Sequence, residues 1–132
     1  MARYYGIDEA NARLTEVRPL LEQLRADRAA VADAQRALVA ARATNGSDEH
    51  AQELARREDE MREVVRRMQR EVARLDSWEI VLRDIESGLI DFPALANGRP
   101  IWLCWRLGED NVGWWHDHDT GFDSRRPLSE LA

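Results

Sequence analysis

The chain has 132 residues, a formal net charge of −6 and a single cysteine, Cys104. This length leaves room for one modest core, so we expect a single domain over residues 1–132. The sequence lacks a run of about 18 uncharged apolar residues and an N-terminal signal-peptide core, which predicts a cytoplasmic protein with no membrane partner. A lone cysteine cannot form an internal disulfide, and this fits a reducing compartment.

The acidity is concentrated in the C-terminal part of the chain. Residues 1–78 carry 14 arginines and 15 acidic residues, whereas residues 79–132 carry 5 arginines and 10 acidic residues. Binding to a phosphate backbone needs clustered positive charge, so the C-terminal part is a poor nucleic-acid surface. In the N-terminal part, arginine and glutamate alternate at helical spacing, which is typical of a solvated helix face. We therefore predict no nucleic-acid partner.

Apolar residues spaced three and four apart predict a long first helix over residues 8–42. Pro19 interrupts this pattern early, so we expect either a kink there or a regular helix that starts near Arg18. The same heptad seam passes through Arg28 and Gln35. Because polar groups at a seam are costly to bury, the distal part of this helix should pack loosely.

A turn at Asn45-Gly46 and an N-cap at Ser47 predict the start of a second helix. Its apolar stripe runs from Leu54 to Leu75, so residues 8–78 form an antiparallel helical hairpin. Each arm would be about 50 Å long, more than the rest of the chain can cover. We therefore expect a homodimer through the helical hairpin.

The period changes in residues 79–132, which we expect to form a sheet with a C-terminal tail. Residues 80–82 and 89–92 are β-prone, and Pro93 is expected to end the second run. Asn97-Gly98 predicts a tight turn before a strong strand at residues 101–107, with residues 112–116 as its partner. These runs predict a three- to four-stranded antiparallel β-meander. Because the helices come first and the strands second, the fold class is α+β.

Strand alternation separates two sets of side chains in this sheet. Trp102, Cys104 and Arg106 share one face of their strand, and Ile101, Leu103 and Trp105 share the other. Trp114, His116 and His118 align on the partner strand. One face packs on the helices, and the second needs a ligand, the tail or another chain to cover it.

The segment His116-Asp117-His118-Asp119 is the sharpest candidate for a metal site. Two imidazoles two residues apart on a strand can reach one ion, and Asp119, Glu109 or Asp91 would complete the site. Such nitrogen and oxygen ligands favour iron, zinc or manganese. Alternatively, the histidines cap an exposed turn.

Arg125-Arg126 follows a glycine turn and could clamp a carboxylate or a phosphate. The alternative is a salt bridge that pins the tail, with Asp117, Asp119 or Asp123 as the partner. Asp91 and Glu109 are candidates for an acid and a base if they are desolvated, and otherwise they hold loops. Cys104 is expected to be a core residue rather than a nucleophile, since the sequence indicates no basic partner for it.

Four segments together resemble the bacterial family known as domain of unknown function 2203. They are IDEANARLTEVRPLL, GLIDFPAL, LCWRLGE and WWHDHDTGFDSRRPL, which occur in the family's order over most of the chain. The family's activity is unassigned, so the resemblance implies a fold and a set of positions rather than a reaction. Those positions are Glu9, Asn11, Asp91, Trp105, Glu109, His116, Asp119 and Arg125. The family more often has an apolar residue at the position of His118, which argues against a general His-x-His motif.

Two hypotheses follow, and they leave open whether the protein is an enzyme. The first is a metal- or small-molecule-binding protein, which could be a metal-dependent enzyme, with its site on the tryptophan- and histidine-rich β-hairpin. Its metal ligands would be His116, His118 and Asp119, and its ligand-binding residues would be Trp105, Trp114, Arg125, Arg126 and Glu9. The second is a non-enzymatic coiled-coil interaction module that dimerises and carries a structural β cap.

Overall fold

The structure is a computed structural model that describes residues 3–44 and 46–131. Two long helices, α1 (Ile7–Arg42) and α2 (Asp48–Ser77), precede one antiparallel sheet. The strands are β1 (Val81–Asp84), β2 (Leu89–Ala96), β3 (Arg99–Arg106), β4 (Trp114–Asp117) and β5 (Arg126–Pro127), adjacent in chain order. The predicted α+β class, a helical hairpin followed by a β-meander, is confirmed, with one short strand more than expected. Neither of the described long helices contains an uncharged apolar stretch of the length that a membrane span requires.

The helix boundaries follow the local capping chemistry. Helix α2 begins after Ser47, whose hydroxyl accepts a hydrogen bond from the backbone N–H of His50 at 3.4 Å. Helix α1 is continuous through Pro19, so the alternative of a regular start near Arg18 is wrong. Asn45, half of the predicted turn, lies outside the described residues.

The contact between the helices includes a buried charge that the heptad pattern did not predict. Arg28 and Gln35, expected at the seam, are exposed, while Asp27 is only 3% exposed. Asp27 lies one residue before the expected seam position of Arg28, so the buried face of this part of α1 departs from the strict heptad pattern. Arg67 of α2 donates to both carboxylate oxygens of Asp27 at 3.0 and 2.7 Å, and Gln23 donates to one of them at 2.8 Å. The hydrogen bond from Arg67 lowers the pKa of Asp27.

The inner face of the sheet packs on the helices to form the core. It contributes Ile90, Phe92, Ala94, Ile101, Leu103, Trp105 and Trp115, which meet Leu14, Val17, Leu21, Leu24 and Leu75. The outer face, which carries the odd-numbered residues of β2 and the even-numbered residues of β3 and β4, points away from the helices. Residues on the outer face form the candidate site.

Pro93 lies inside β2, so the prediction that it ends this strand is wrong. Its carbonyl accepts a hydrogen bond from the backbone N–H of Tyr5 at 2.7 Å. Because the nitrogen and the carbonyl of a strand residue point to the same side, the proline nitrogen also faces away from β3. At Pro93, β2 therefore loses no hydrogen bond to β3. A strand tolerates proline at a position of this kind.

The β2–β3 turn sets the register of the two strands that carry the site. Asn97 and Gly98 both have positive φ, 53° and 79°, which is the pattern of a type I′ turn. This two-residue turn pairs Ala96 with Arg99 and, further along, Asp91 with Cys104. An aspartate and the single cysteine of the chain are therefore direct neighbours across the ladder.

Candidate metal centre

Three buried side chains meet on the outer face of the sheet. Asp91 of β2, Cys104 of β3 and His116 of β4 are 2%, 1% and 3% exposed. Because Cys104 pairs with Trp114 on β4, His116 lies diagonally across from it. One possible ligand atom of each side chain lies within 4.8 Å of the other two. The three residues offer a carboxylate, a thiol and an imidazole to a common point.

The Asp91 carboxylate is only partly satisfied by its neighbours. Its Oδ2 accepts a hydrogen bond from Arg83 Nε at 2.8 Å and lies 3.0 Å from His116 Nε2. Its Oδ1 is buried and has no hydrogen-bond partner among the described residues. Leaving a buried polar atom unpaired costs about 1–3 kcal/mol, and either a hydrogen-bond donor or a cation beside this oxygen would remove that cost.

Both ring nitrogens of His116 face hydrogen-bond acceptors. Nδ1 lies 2.8 Å from the carbonyl oxygen of Asp117, which can only accept, so this contact is a hydrogen bond when Nδ1 carries the hydrogen. Nε2 faces the Asp91 oxygen, which already accepts from Arg83. A neutral imidazole has one donor and one acceptor, so it cannot satisfy both contacts. A neutral ring and an ionised carboxylate therefore leave one of these contacts without a hydrogen, and a cation shared by Nε2 and the carboxylate would take its place.

Cys104 lies in an environment that disfavours its thiolate. Burial raises the pKa of Cys104 to about 12, and the nearby charge of Asp91 adds to the rise. Arg125 acts in the opposite direction through a side-chain hydrogen bond to the sulfur. The predicted buried position of Cys104 is confirmed, and Arg125 is a basic neighbour that the sequence did not indicate.

Arg125 fixes the C-terminal tail beside this cluster. Its guanidinium forms a two-pronged pair with Glu109, with nitrogen–oxygen distances of 2.7 and 3.2 Å. The guanidinium carbon also lies 4.4 Å from the ring centre of Trp114 and 4.3 Å from that of Phe122. Arg125 forms a salt bridge of the kind expected to pin the tail, but its partner is Glu109 of the β3–β4 turn rather than Asp117, Asp119 or Asp123. Glu109 is therefore held by Arg125 rather than directed at the cluster.

His118 and Asp119 lie outside the group of three ligand atoms. Strand β4 ends at Asp117, and a turn closed by Thr120 N–H to the Asp117 carbonyl at 3.2 Å takes the chain off the strand path. His118 is exposed and stacks on Trp102, with ring centres 4.6 Å apart. Asp119 is exposed in an open groove beside Arg99. Of the three predicted metal ligands, His116 alone belongs to the buried cluster.

The remaining candidate residues occupy several different surroundings. Trp105 is fully buried in the core on the inner face, and Arg126 lies beside Trp115 on that same side. Glu9 is exposed in the first turn of α1, where its carboxylate accepts from the Gly6 N–H at 3.4 Å. Trp114 is partly buried on the outer face. Unlike Trp105, Arg126 and Glu9, it lies close to the cluster, and its ring contacts the guanidinium of Arg125.

A cavity of about 210 Å³ borders the three-residue cluster on its outer side. It is lined by Arg83, Leu89, Asp91, Cys104, His116, His118, Thr120, Gly121 and Phe122. The cavity gives a small molecule access to the point at which the three ligand atoms converge. Arg83 and Cys104 were not predicted as site residues, although the type I′ turn at Asn97-Gly98 fixes the pairing of Asp91 with Cys104.

These features define an α+β protein with a candidate aspartate–cysteine–histidine centre on the outer face of a small sheet. The chain belongs to the family described as an uncharacterized conserved protein (DUF2203), whose model matches residues 3–128. The family resemblance expected from the four segments is thereby confirmed. The comparisons with curated proteins and with solved structures gave no match.

Proposed function

We propose that this protein binds a divalent transition metal ion through Asp91, Cys104 and His116. The observation that carries this proposal is the position of His116, whose two ring nitrogens both face acceptor oxygens. A metal ion at Nε2 would resolve this conflict, because a metal accepts the nitrogen lone pair and attracts the carboxylate. The unpaired Oδ1 of Asp91 gives the ion a second partner.

The donor set narrows the choice among the three metals expected from the sequence. One imidazole nitrogen, one thiolate sulfur and one carboxylate oxygen are all ligands that zinc accepts. A thiolate favours zinc or iron(II) over manganese, which prefers oxygen ligands. We therefore expect zinc or iron(II) in the protein.

Neighbouring groups support each of the three proposed ligands. The Asp117 carbonyl orients the His116 ring, and Arg83 holds the Asp91 carboxylate. Arg125, next to Cys104, would lower the cost of the thiolate that metal binding requires. Such outer partners orient the ligands of metal sites and tune their affinity.

Three protein ligands leave a fourth position that would face the cavity. Structural zinc sites are closed by four protein ligands, whereas catalytic sites keep one position for water or substrate. The proposed function is therefore metal-dependent binding of a small molecule, an arrangement that also suits a metal-dependent enzyme. We propose the cytoplasm as its compartment, since a free thiol ligand is best kept in a reducing environment.

Metal analysis of matched variants tests this proposal. Untagged protein is stripped with a chelator, offered zinc, iron(II) or manganese, desalted and assayed for metal per chain. We expect one zinc or iron ion per chain in the unmodified protein and strong loss in Asp91→Asn, Cys104→Ser and His116→Gln. The controls His118→Gln and Asp119→Asn make the same chemical changes outside the cluster and should keep their metal. Absence of uptake by the unmodified protein, or equal loss in the controls, would contradict the proposal.

A second candidate function is dimerisation through the far end of the helical hairpin. A groove of about 230 Å³ lies between the helices there, and Val39 nearby is 66% exposed. The groove is bordered by Ala30, Val31, Ala34, Ala37, Met61 and Val64, together with Arg57 and Glu60. Exposed apolar surface of this kind favours contact with a second copy.

The molar mass in solution tests this second candidate. Light scattering during size-exclusion chromatography should give a dimer for the unmodified protein and a monomer for Ala34→Arg, which places a charge in the groove. Ala29→Arg adds the same charge at an exposed position outside it and should leave the dimer intact. A monomer at every concentration would contradict dimerisation without affecting the metal proposal.

A further inference from the structure

The cavity beside the proposed metal position is small and has both polar and apolar walls. Arg83 and Thr120 border it together with Leu89 and Phe122. A water molecule occupies about 30 Å³ in the liquid, so the cavity of about 210 Å³ corresponds to the volume of about seven water molecules. This volume suits a small organic molecule or an inorganic ion.

The charges around the cavity favour an anion that carries one negative charge. A divalent ion held by the Asp91 carboxylate and the Cys104 thiolate forms a neutral group with the His116 imidazole. Arg125 is neutralised by Glu109 at 2.7 Å. The positive charge of Arg83 then remains in excess at the cavity wall. A singly charged anion would balance it.

Arg83 is positioned to recognise a carboxylate. Its Nε donates to Asp91 at 2.8 Å, and its guanidinium carbon lies 5.0 Å from the ring centre of Trp102. These two contacts orient the guanidinium of a side chain that is 43% exposed, and its Nη groups form no hydrogen bond within residues 3–44 and 46–131. Arginine presents such donors in a rigid fork that matches a carboxylate.

We propose that the cavity binds a small monocarboxylate of about the size of butyrate. Its carboxylate would lie toward Arg83 and the open metal position, with a short aliphatic tail against Leu89 and Phe122. This inference rests on the proposed metal function, because the ion supplies part of the positive charge.

Optical titration of the cobalt(II)-substituted protein tests the inference. Butyrate has six non-hydrogen atoms, and butyramide is its uncharged counterpart. We expect butyrate to change the visible cobalt spectrum with saturation, butyramide to have little effect, and inorganic phosphate to bind more weakly than butyrate. Arg83→Gln should weaken butyrate binding by about tenfold or more, because a charge-assisted hydrogen bond is lost. Arg126→Gln, on the other side of the sheet, should bind butyrate as the unmodified protein does.

A second series of variants changes the cavity wall at Gly121, because a substitution of Arg83 also removes a contact of Asp91. Gly121 borders the cavity with an ordinary extended φ of −118°, and a Cβ atom built there meets nothing within 4 Å. We expect Gly121→Leu to weaken butyrate binding more than Gly121→Ala, with cobalt content unchanged in both. If Arg83→Gln also loses cobalt, butyrate binding by the two Gly121 variants tests the carboxylate inference in its place.

The outcomes separate the two proposals. One cobalt ion per chain with a spectrum that butyrate does not change would overturn the carboxylate inference and leave the metal function standing. Phosphate binding tighter than butyrate binding would overturn it as well. Failure of the unmodified protein to bind cobalt, zinc or iron(II) would overturn both proposals.

Discussion

His116 Nε2 lies 3.0 Å from Asp91 Oδ2, while Nδ1 of the same ring lies 2.8 Å from a backbone carbonyl oxygen. Both contacts point to acceptors, and a neutral ring has one N–H, so a metal ion at Nε2 would satisfy the contact that lacks a hydrogen. Asp91 also leaves one buried oxygen without a partner among the described residues. The pair therefore provides the main support for the proposed metal centre.

Cys104 should be unreactive in the metal-free protein. Because burial raises the pKa of Cys104 to about 12, very little thiolate forms at pH 8. We expect iodoacetamide to alkylate the folded protein at least about a hundredfold more slowly than the urea-unfolded protein, as followed by mass spectrometry. Equal rates in the two states would show that the sulfur is accessible and its thiolate stable.

The pair between Asp27 and Arg67 should make stability depend on pH in the acidic range. The pKa of Asp27 is lowered in the folded protein, so the contribution of the pair is present above the unfolded value of about 4. It is lost as the pH falls through the lowered, folded value. We expect Arg67→Met to be less stable than the unmodified protein at pH 7 in urea unfolding, with a difference that narrows below about pH 4.

Arg70→Met is the matched control for this pair, because Arg70 is an exposed arginine of the same helix. Its stability should stay close to that of the unmodified protein across the same pH range. A difference for Arg67→Met that does not change with pH would contradict the role given to Asp27.

Glu109 should stabilise the tail through Arg125. Both side chains are largely buried, 14% exposed for Arg125 and 17% for Glu109, and they form two hydrogen bonds. We expect Glu109→Gln to lower the free energy of unfolding by about 1–3 kcal/mol, since the guanidinium keeps its place but loses the opposite charge. Glu130→Gln, at an exposed position in the same half of the chain, should change it by less than about 0.5 kcal/mol. Equal effects in the two variants would refute this role.

Gly98 should be required by the turn that sets the β2–β3 register. Its φ of +79° is unfavourable for a residue with a side chain, so Gly98→Ala should cost about 1–2 kcal/mol of unfolding free energy. Gly121→Ala makes the same substitution at an extended residue with open space around it and should cost much less. Chemical denaturation of the two variants measures the difference, and similar stabilities would argue against a turn of this type.

Much of the fold was predictable because the apolar spacing is regular. Helix α1, at Ile7–Arg42, begins one residue from the predicted start, and Ser47 caps α2 as expected. The buried position of Asp27 was missed because this residue lies outside the heptad seam, and the burial of its charge depends on Arg67, which comes from α2. A linear pattern contains no signal for such a contact.

The candidate site was predicted only in part. His116 and Asp91 stood out as ionisable residues on strands, and they do meet. Cys104 was considered by itself, although counting residues back from the Asn97-Gly98 turn pairs it with Asp91. The contact of Arg125 with Glu109 could not be predicted, because it depends on how the tail returns across the sheet.

X-ray absorption of the zinc-loaded protein tests the proposed centre most directly. If Asp91, Cys104 and His116 bind the ion, the spectrum will show one sulfur at about 2.3 Å together with nitrogen and oxygen neighbours at about 2.0–2.2 Å. The sulfur shell should be absent from Cys104→Ser and retained in His118→Gln. A zinc ion surrounded only by nitrogen and oxygen in the unmodified protein would contradict this centre.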